Sequence, residues 1–332
     1  MTGQRSKGRA FTIVEVLVVI AIIGILLGLL LPALGAVKRR SRKTSEANSL
    51  KQVAHAWMLY ANYSNDAALP GYLETAVQAP RVQGVSRGWG VKYDYPDQRM
   101  IHPAPTYQLG DPNVAGPWTW RLLPYLEFSH DIVHGYDVDD GDDFVSISHD
   151  PVRALNVALT PAFGYNGYYV GGYWRMHPDP GNPATKSPFF DFYDHCEMIN
   201  GAGTGPRVSI ATTISQINRS TDVIVFCSST RVVSPGIQYR FEDTRPGSYL
   251  VTPPFLGPTA QWQPDPMGER DHIEALAPDV HVPMGRHTGA VVSLYADGHL
   301  DQQSYDALND PRKWIDNAAT RTYKHDVCVP DR

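Results

Sequence analysis

Residues 11–37, FTIVEVLVVIAIIGILLGLLLPALGAV, form one apolar run in which Thr12 and Glu15 are the only clearly polar side chains. Wound as an α-helix at about 1.5 Å per residue, the run reaches roughly 40 Å, beyond the hydrocarbon core of about 30 Å. A secretory signal peptide has a much shorter apolar region, about 7–15 residues. A core helix of a soluble domain keeps a polar face, and this run has none. The segment therefore reads as a membrane-inserted helix.

Its flanks conflict over orientation. Residues 1–10 carry Arg5, Lys7 and Arg9 and no acid, which favours a cytoplasmic N-terminus. The cluster KRRSRK at 38–43 argues for the opposite topology, so something beyond charge must decide. That feature is Glu15. A carboxylate left alone in lipid costs several kcal/mol. The local cation that can answer it is an α-amino group made by cutting the chain just before Phe11, largely protonated with an ordinary pKa near 8. Within one helix the fifth residue lies about 6 Å along the axis from the first. A neighbouring subunit shifted along that axis can set its own Glu15 beside the amine, and each charge neutralises the other.

These residues carry a family resemblance. RAFTIVEVLVVIAIIGILLGLLLPAL resembles the N-terminal cleavage and methylation signal of type IV pilins and type II secretion pseudopilins. The resemblance implies a cut by prepilin peptidase between Ala10 and Phe11, methylation of Phe11, and a paired carboxylate at Glu15. Pro32 stands where these helices commonly bear a kinking Pro, and Ala10 stands where the family usually has Gly. Helical periodicity continues through Ala47, Leu50, Val53, Ala54, Trp57, Met58 and Ala61, so one helix of about 50 residues is expected. NSLKQVAHAWMLYANYSNDAALP also resembles the segment that follows the membrane helix in G-like pseudopilins.

Beyond Pro70 the chain is rich in Pro, Gly and aromatics, and the whole sequence holds 28 Gly and 27 Pro. That composition favours loops and short strands. TDVIVFCSS (221–229) reads as a buried strand, and PAFGYNGYYVGGYW (161–174) as strand and turn around Asn166-Gly167. WTWRLLPYLEFSHD (118–131) suits a short helix or strand interrupted by Pro124. HPDPGNPATKSP (177–188) and 246–268 read as loops. The expected fold class is α+β: a long N-terminal helix against a mostly antiparallel, loop-rich β domain. The expected division is a leader at 1–10, a transmembrane half-helix at 11–37, an exposed half-helix at 38–65 and an outer domain at 66–332.

Near the C-terminus, HTGAVVSLYADG (287–298) suits a strand buried on both faces, with Asp297-Gly298 as a type I′ turn and His299-Leu300 opening the return strand. His287, Asp297 and Gly298 resemble the H-x9-DG motif of a group of prepilin-like proteins, here a hairpin at 287–301. Ten residues of extended strand span about 33 Å, so His287 and Asp297 are expected at opposite ends rather than as a catalytic dyad.

Other signals are weaker. Gly84-Val85-Ser86-Arg87-Gly88 matches G-x-S-x-G but lacks the strand–turn–helix context that hydrolases need. The loop DVDDGDD offers Asp137, Asp139, Asp140 and Asp142 as a calcium candidate, calcium being used by some pseudopilins of this kind, without EF-hand spacing. A solvated acidic loop is the plainer reading, and no cofactor is expected. His195-Cys196 are adjacent and poorly placed to chelate one zinc ion. Cys196 and Cys227 are candidates for pairing, and with Cys328 the cysteines are odd in number. The net charge of -5 gives no sign of nucleic-acid binding. The expectation is a non-enzymatic prepilin-like subunit whose partners are prepilin peptidase, other pilin-like subunits and membrane lipid. The rival is a membrane-anchored outer domain, binding or hydrolytic, that uses the signal only for targeting.

Overall fold

The computed structural model describes residues 12–73, 116–127, 129–134, 156, 158–179, 182–190, 210–232, 238–240, 246–256, 259–264, 272–276, 280–287, 289–316 and 318. The chain divides into two compact units, Met1–Arg42 and Lys43–Arg332. Helix α1, Ile13–Tyr63, contributes to both. It ends where Asn65 and Asp66 take left-handed φ of 53° and 69°, and the Asp66 N–H donates back to the Ala61 carbonyl at 2.7 Å. Asn and Asp tolerate that conformation better than other side chains, so the stop follows from the sequence Ser64-Asn65-Asp66.

In the first unit the large apolar side chains from Ile13 to Val37 are exposed, with Leu29 at 73%. Among the described residues α1 is the helix long and apolar enough to cross a membrane.

The second unit is α+β, as expected. Its part of α1 buries Glu46, Leu50, Val53, Ala54, Ala56, Trp57, Tyr60 and Ala61. The buried face is thus wider than the predicted stripe. It takes in Ala56, Tyr60 and a carboxylate, while Met58 stays 38% exposed.

The strands in chain order are β1 (Tyr72–Leu73), β2 (Phe163–Tyr165), β3 (Tyr173–Asp179), β4 (Asn182–Phe190), β5 (Ile224–Val232), β6 (Gln238–Arg240), β7 (Phe255–Leu256), β8 (Thr259–Ala260), β9 (Trp262–Pro264), β10 (His272–Ala275), β11 (Val280–Pro283), β12 (Val291–Tyr295) and β13 (Leu300–Gln303). Strand β5, predicted from its unbroken apolar run, is the hub. It pairs antiparallel with β2, β11 and β12, and β12 pairs with β13. Only the short β1–β3 pair among the named strands is parallel.

This sheet is buried on both sides. One cluster joins Leu50, Val53 and Trp57 of α1 to Phe226, Val292, Leu294 and Ala296. The other joins Ile224, Cys227, Val291 and Tyr295 to Tyr305, Leu308 and Trp314. The alternation along β12 explains why its sequence shows no polar face. Asn166 locks the layers: its buried Nδ2 donates to the carbonyls of Ile224 at 2.9 Å and Trp314 at 2.8 Å.

Two expectations need correction. Residues 177–179 and 182–188 are not loop but lie in the paired strands β3 and β4. Among the described residues β4 is an edge strand and β1 pairs with β3 only at Tyr173 and Trp174, so Pro178 has one described strand neighbour, a setting in which Pro is tolerated. Residues 246–268 likewise contain β7, β8 and β9. The segment 118–131 holds a short helix α2 (Thr119–Leu122) and a 3₁₀ turn Leu123–Leu126 that has Pro124 at its start, where a missing N–H costs nothing. A second short helix, α3, spans His130–His134.

Candidate functional site

Glu46 is 2% exposed, the least expected burial in α1. It faces the point where β5 changes partner. Strand β11 pairs with Ser229–Val232 and β12 with Ile224–Cys227, which leaves Ser228 between the two ladders. The Ser228 hydroxyl donates to Glu46 Oε1 at 2.6 Å. The connection from β11 to β12 brings His287 Nε2 to 3.9 Å from Glu46 Oε2. Gly289, at φ 77°, helps this connection turn back sharply. Arg286, on the same turn, donates to the Ser229 carbonyl.

Burial pushes the Glu46 carboxyl above its ordinary range, opposed by the Ser228 hydroxyl and by the charges of Arg286 and Lys43. Burial and the Glu46 charge together push the neighbouring Cys227 thiol far up. The groups facing Glu46 are thus Lys43 from its own helix, Ser228 and Cys227 from β5, and Arg286 and His287 from the connection. For an acid whose folded pKa is raised, the stabilising contribution is complete below the unfolded value near 4.5 and is lost as pH rises through the folded one. Glu46→Gln cannot ionise yet keeps an acceptor for Ser228. Its melting temperature is expected to vary less with pH across that window, and to match or exceed the native one above it. Melting curves of both proteins in a pH series check this.

The other end of the motif differs from expectation. The Gly298 N–H donates to the Tyr295 carbonyl at 2.9 Å and the Tyr295 N–H to the His299 carbonyl at 3.0 Å. The loop is therefore three residues, Ala296-Asp297-Gly298. Gly298 has a φ of 90°, and Asp297 is not among the described residues with positive φ. That is a type I turn with a Gly bulge, not type I′, which needs positive φ at two successive positions. Asp297 Oδ1 accepts from the His299 N–H at 3.1 Å and lies 2.6 Å from His299 Nδ1. Desolvation, the largest single influence, raises the Asp297 carboxyl, but the His299 backbone and ring together outweigh it and hold it below its ordinary value. His287 and Asp297 thus have different partners. A Cβ on Gly298 would run into the terminal methyl of Met58 on α1.

Other sequence candidates divide. Gly84–Gly88, Asp137, Asp139, Asp140, Asp142, His195, Cys196 and Cys328 lie outside the described residues. Cys227 is a free, fully buried thiol. The expectation that the sequence holds no H-x3-H pair needs correction: His130 and His134 form one on α3, with His130 Nε2 3.2 Å from Asp131 Oδ1. Burial, then the charge of His130, push His134 down to about 4 against the pull of Asp131, so its ring is neutral near pH 7. Among the described residues no group of three His, Cys, Asp or Glu gathers as a metal set. Ser248 Oγ meets His281 Nδ1, but at 1% and 8% exposure the pair is closed to substrate and reads as a satisfied core contact.

At the N-terminus Ala10 and Phe11 lie outside the described residues. Thr12 and Glu15 form a reciprocal cap. Glu15 Oε2 accepts from the Thr12 N–H at 2.8 Å and from its hydroxyl at 2.9 Å, while the Glu15 N–H donates to Thr12 Oγ1 at 3.3 Å. Thr12-Ile13-Val14-Glu15 is the capping-box pattern, legible in the sequence. It adds a neutral local partner for Glu15 beside the cation that the sequence reading calls for. Residues 5–31 match the model of the prokaryotic N-terminal methylation motif. The chain thus has a prepilin-type N-terminus, and the methylation motif includes both residues of the cap and most of the apolar run. No curated protein and no solved structure matches the chain.

Proposed function

We propose that this protein is a prepilin-like structural subunit of a pilus or type II secretion-like pseudopilus. Prepilin peptidase removes residues 1–10 and methylates Phe11. The first part of α1 crosses the cytoplasmic membrane once, with the leader in the cytoplasm and the outer unit on the far side. Subunits are held in the membrane or associate through their N-terminal helices, each Glu15 answering the amine of a neighbour.

The observation that carries this reading is the methylation motif at residues 5–31, with Glu15 as the acid of its apolar stretch. The cap on Glu15 is compatible with assembly. The described hydrogen bonds to Thr12 engage one carboxylate oxygen, Oε2, and Oε1 takes no part in them. Mass spectrometry of the protein purified from membranes is the test. The expected mature chain begins at Phe11 and carries one added methyl group. A chain that still begins at Met1, or a protein recovered from the cytosol, overturns the reading.

A further inference from the structure

We propose that His287, Asp297 and Gly298 work together as a clasp that shuts the last hairpin onto the outer part of α1. The inference concerns the second unit alone and stands whether or not the mature chain begins at Phe11.

Both ends of the motif seat on the same helix. His287 approaches buried Glu46, and Gly298 approaches Met58. Twelve residues of helix separate the two seats, about 18 Å along the axis. Between them Val292, Leu294 and Ala296 share a cluster with Leu50, Val53, Ala54 and Trp57 of the helix. The five residues of β12, about 16 Å of extended chain, cover most of that distance. One residue more or fewer between His287 and Asp297 would turn the alternate faces of β12 over.

Each motif residue has a separate task. His287 supplies a polar partner on the Oε2 side of Glu46, while the Ser228 hydroxyl donates to Oε1. Asp297 fixes the turn by accepting from His299. The Asp297 and Ala296 N–H groups then donate to the carbonyls of Ser220 and Val223, which fasten the turn to the segment entering β5. Gly298 supplies the left-handed residue without a Cβ that Met58 would obstruct.

The test is hydrogen exchange on the full chain in detergent. His287→Ala and Glu46→Ala are each expected to speed exchange about tenfold both in residues 291–303 and in residues 46–60 of α1. The double variant is expected to be no faster than the faster single one. Glu46→Gln should recover most of the protection, and amides of β10 should be unchanged. Gly298→Ala should loosen the same two segments. Single effects that multiply in the double variant, or faster exchange limited to 284–290, overturn the clasp. Should Glu46→Ala fail to fold, His287→Ala decides by the same criterion: both segments loosened supports the clasp, and its own connection alone overturns it.

Discussion

Glu15→Ala is expected to leave leader removal intact and to abolish assembly of the proposed filament. The resemblance places the cut between Ala10 and Phe11, so the scissile bond is untouched. What is lost is the partner of an amine in lipid. Removing one member of such a pair costs about 3–5 kcal/mol, or roughly two to three and a half powers of ten in association. The Thr12–Glu15 cap makes a sharper comparison available. Glu15→Gln keeps an oxygen that can accept from the Thr12 N–H and hydroxyl but carries no charge. If charge pairing between subunits drives assembly, Gln fails as Ala does. If the carboxylate matters only as a helix cap, Gln supports assembly and Thr12→Val does not. Surface-filament yield together with the mass of the membrane-bound subunit reads both steps. Normal function of the protein after Glu15→Ala would favour the rival reading, an outer domain that uses the signal only as an anchor.

The helix and β5 were legible because local pattern determines them. Leu50, Val53, Ala54 and Trp57 repeat at helical spacing, and Val223 to Cys227 make a short unbroken apolar run. The capping box was equally local, written as Thr12-x-x-Glu15, yet the apolar setting drew attention to an intersubunit partner instead. What stayed hidden depends on distance. Glu46 looks like an ordinary solvent-facing residue, because its partners Ser228 and His287 are remote in sequence and lie in a strand and a connection. Prolines concealed β3 and β4, since no local rule says that Pro178 pairs, among the described residues, with β4 alone. The Asp297-Gly298 turn type was missed for a register reason. Leu294 pairs with Leu300, and the Tyr295–His299 contact leaves Ala296 inside the loop, where a two-residue turn has no room for it.

Trp57→Ala is expected to lower the stability of the outer unit by about 3–5 kcal/mol, the usual range for truncating a fully buried Trp. For a unit of this size that is a fall in melting temperature of roughly 6–20 °C, at about 2–4 °C per kcal/mol. Trp57 is 0% exposed and sits in the cluster with Leu50, Val53, Tyr60, Trp118 and Phe226. Its neighbour Leu59 is 43% exposed, so Leu59→Ala on the same helix turn is the control, expected within about 0.5 kcal/mol of the parent. Both variants should lose the leader normally, because the methylation motif ends at residue 31. The contrast separates two roles of one helix. The large apolar side chains from Ile13 to Val37 are exposed, suited to lipid, whereas from Glu46 onward one face of the helix is part of a protein core. If Trp57→Ala melts with Leu59→Ala, the outer part of α1 is not integral to that core, and the hairpin at 287–301 has nothing to close upon. If it melts far below, the part of α1 from Glu46 onward is integral to the core of the second unit.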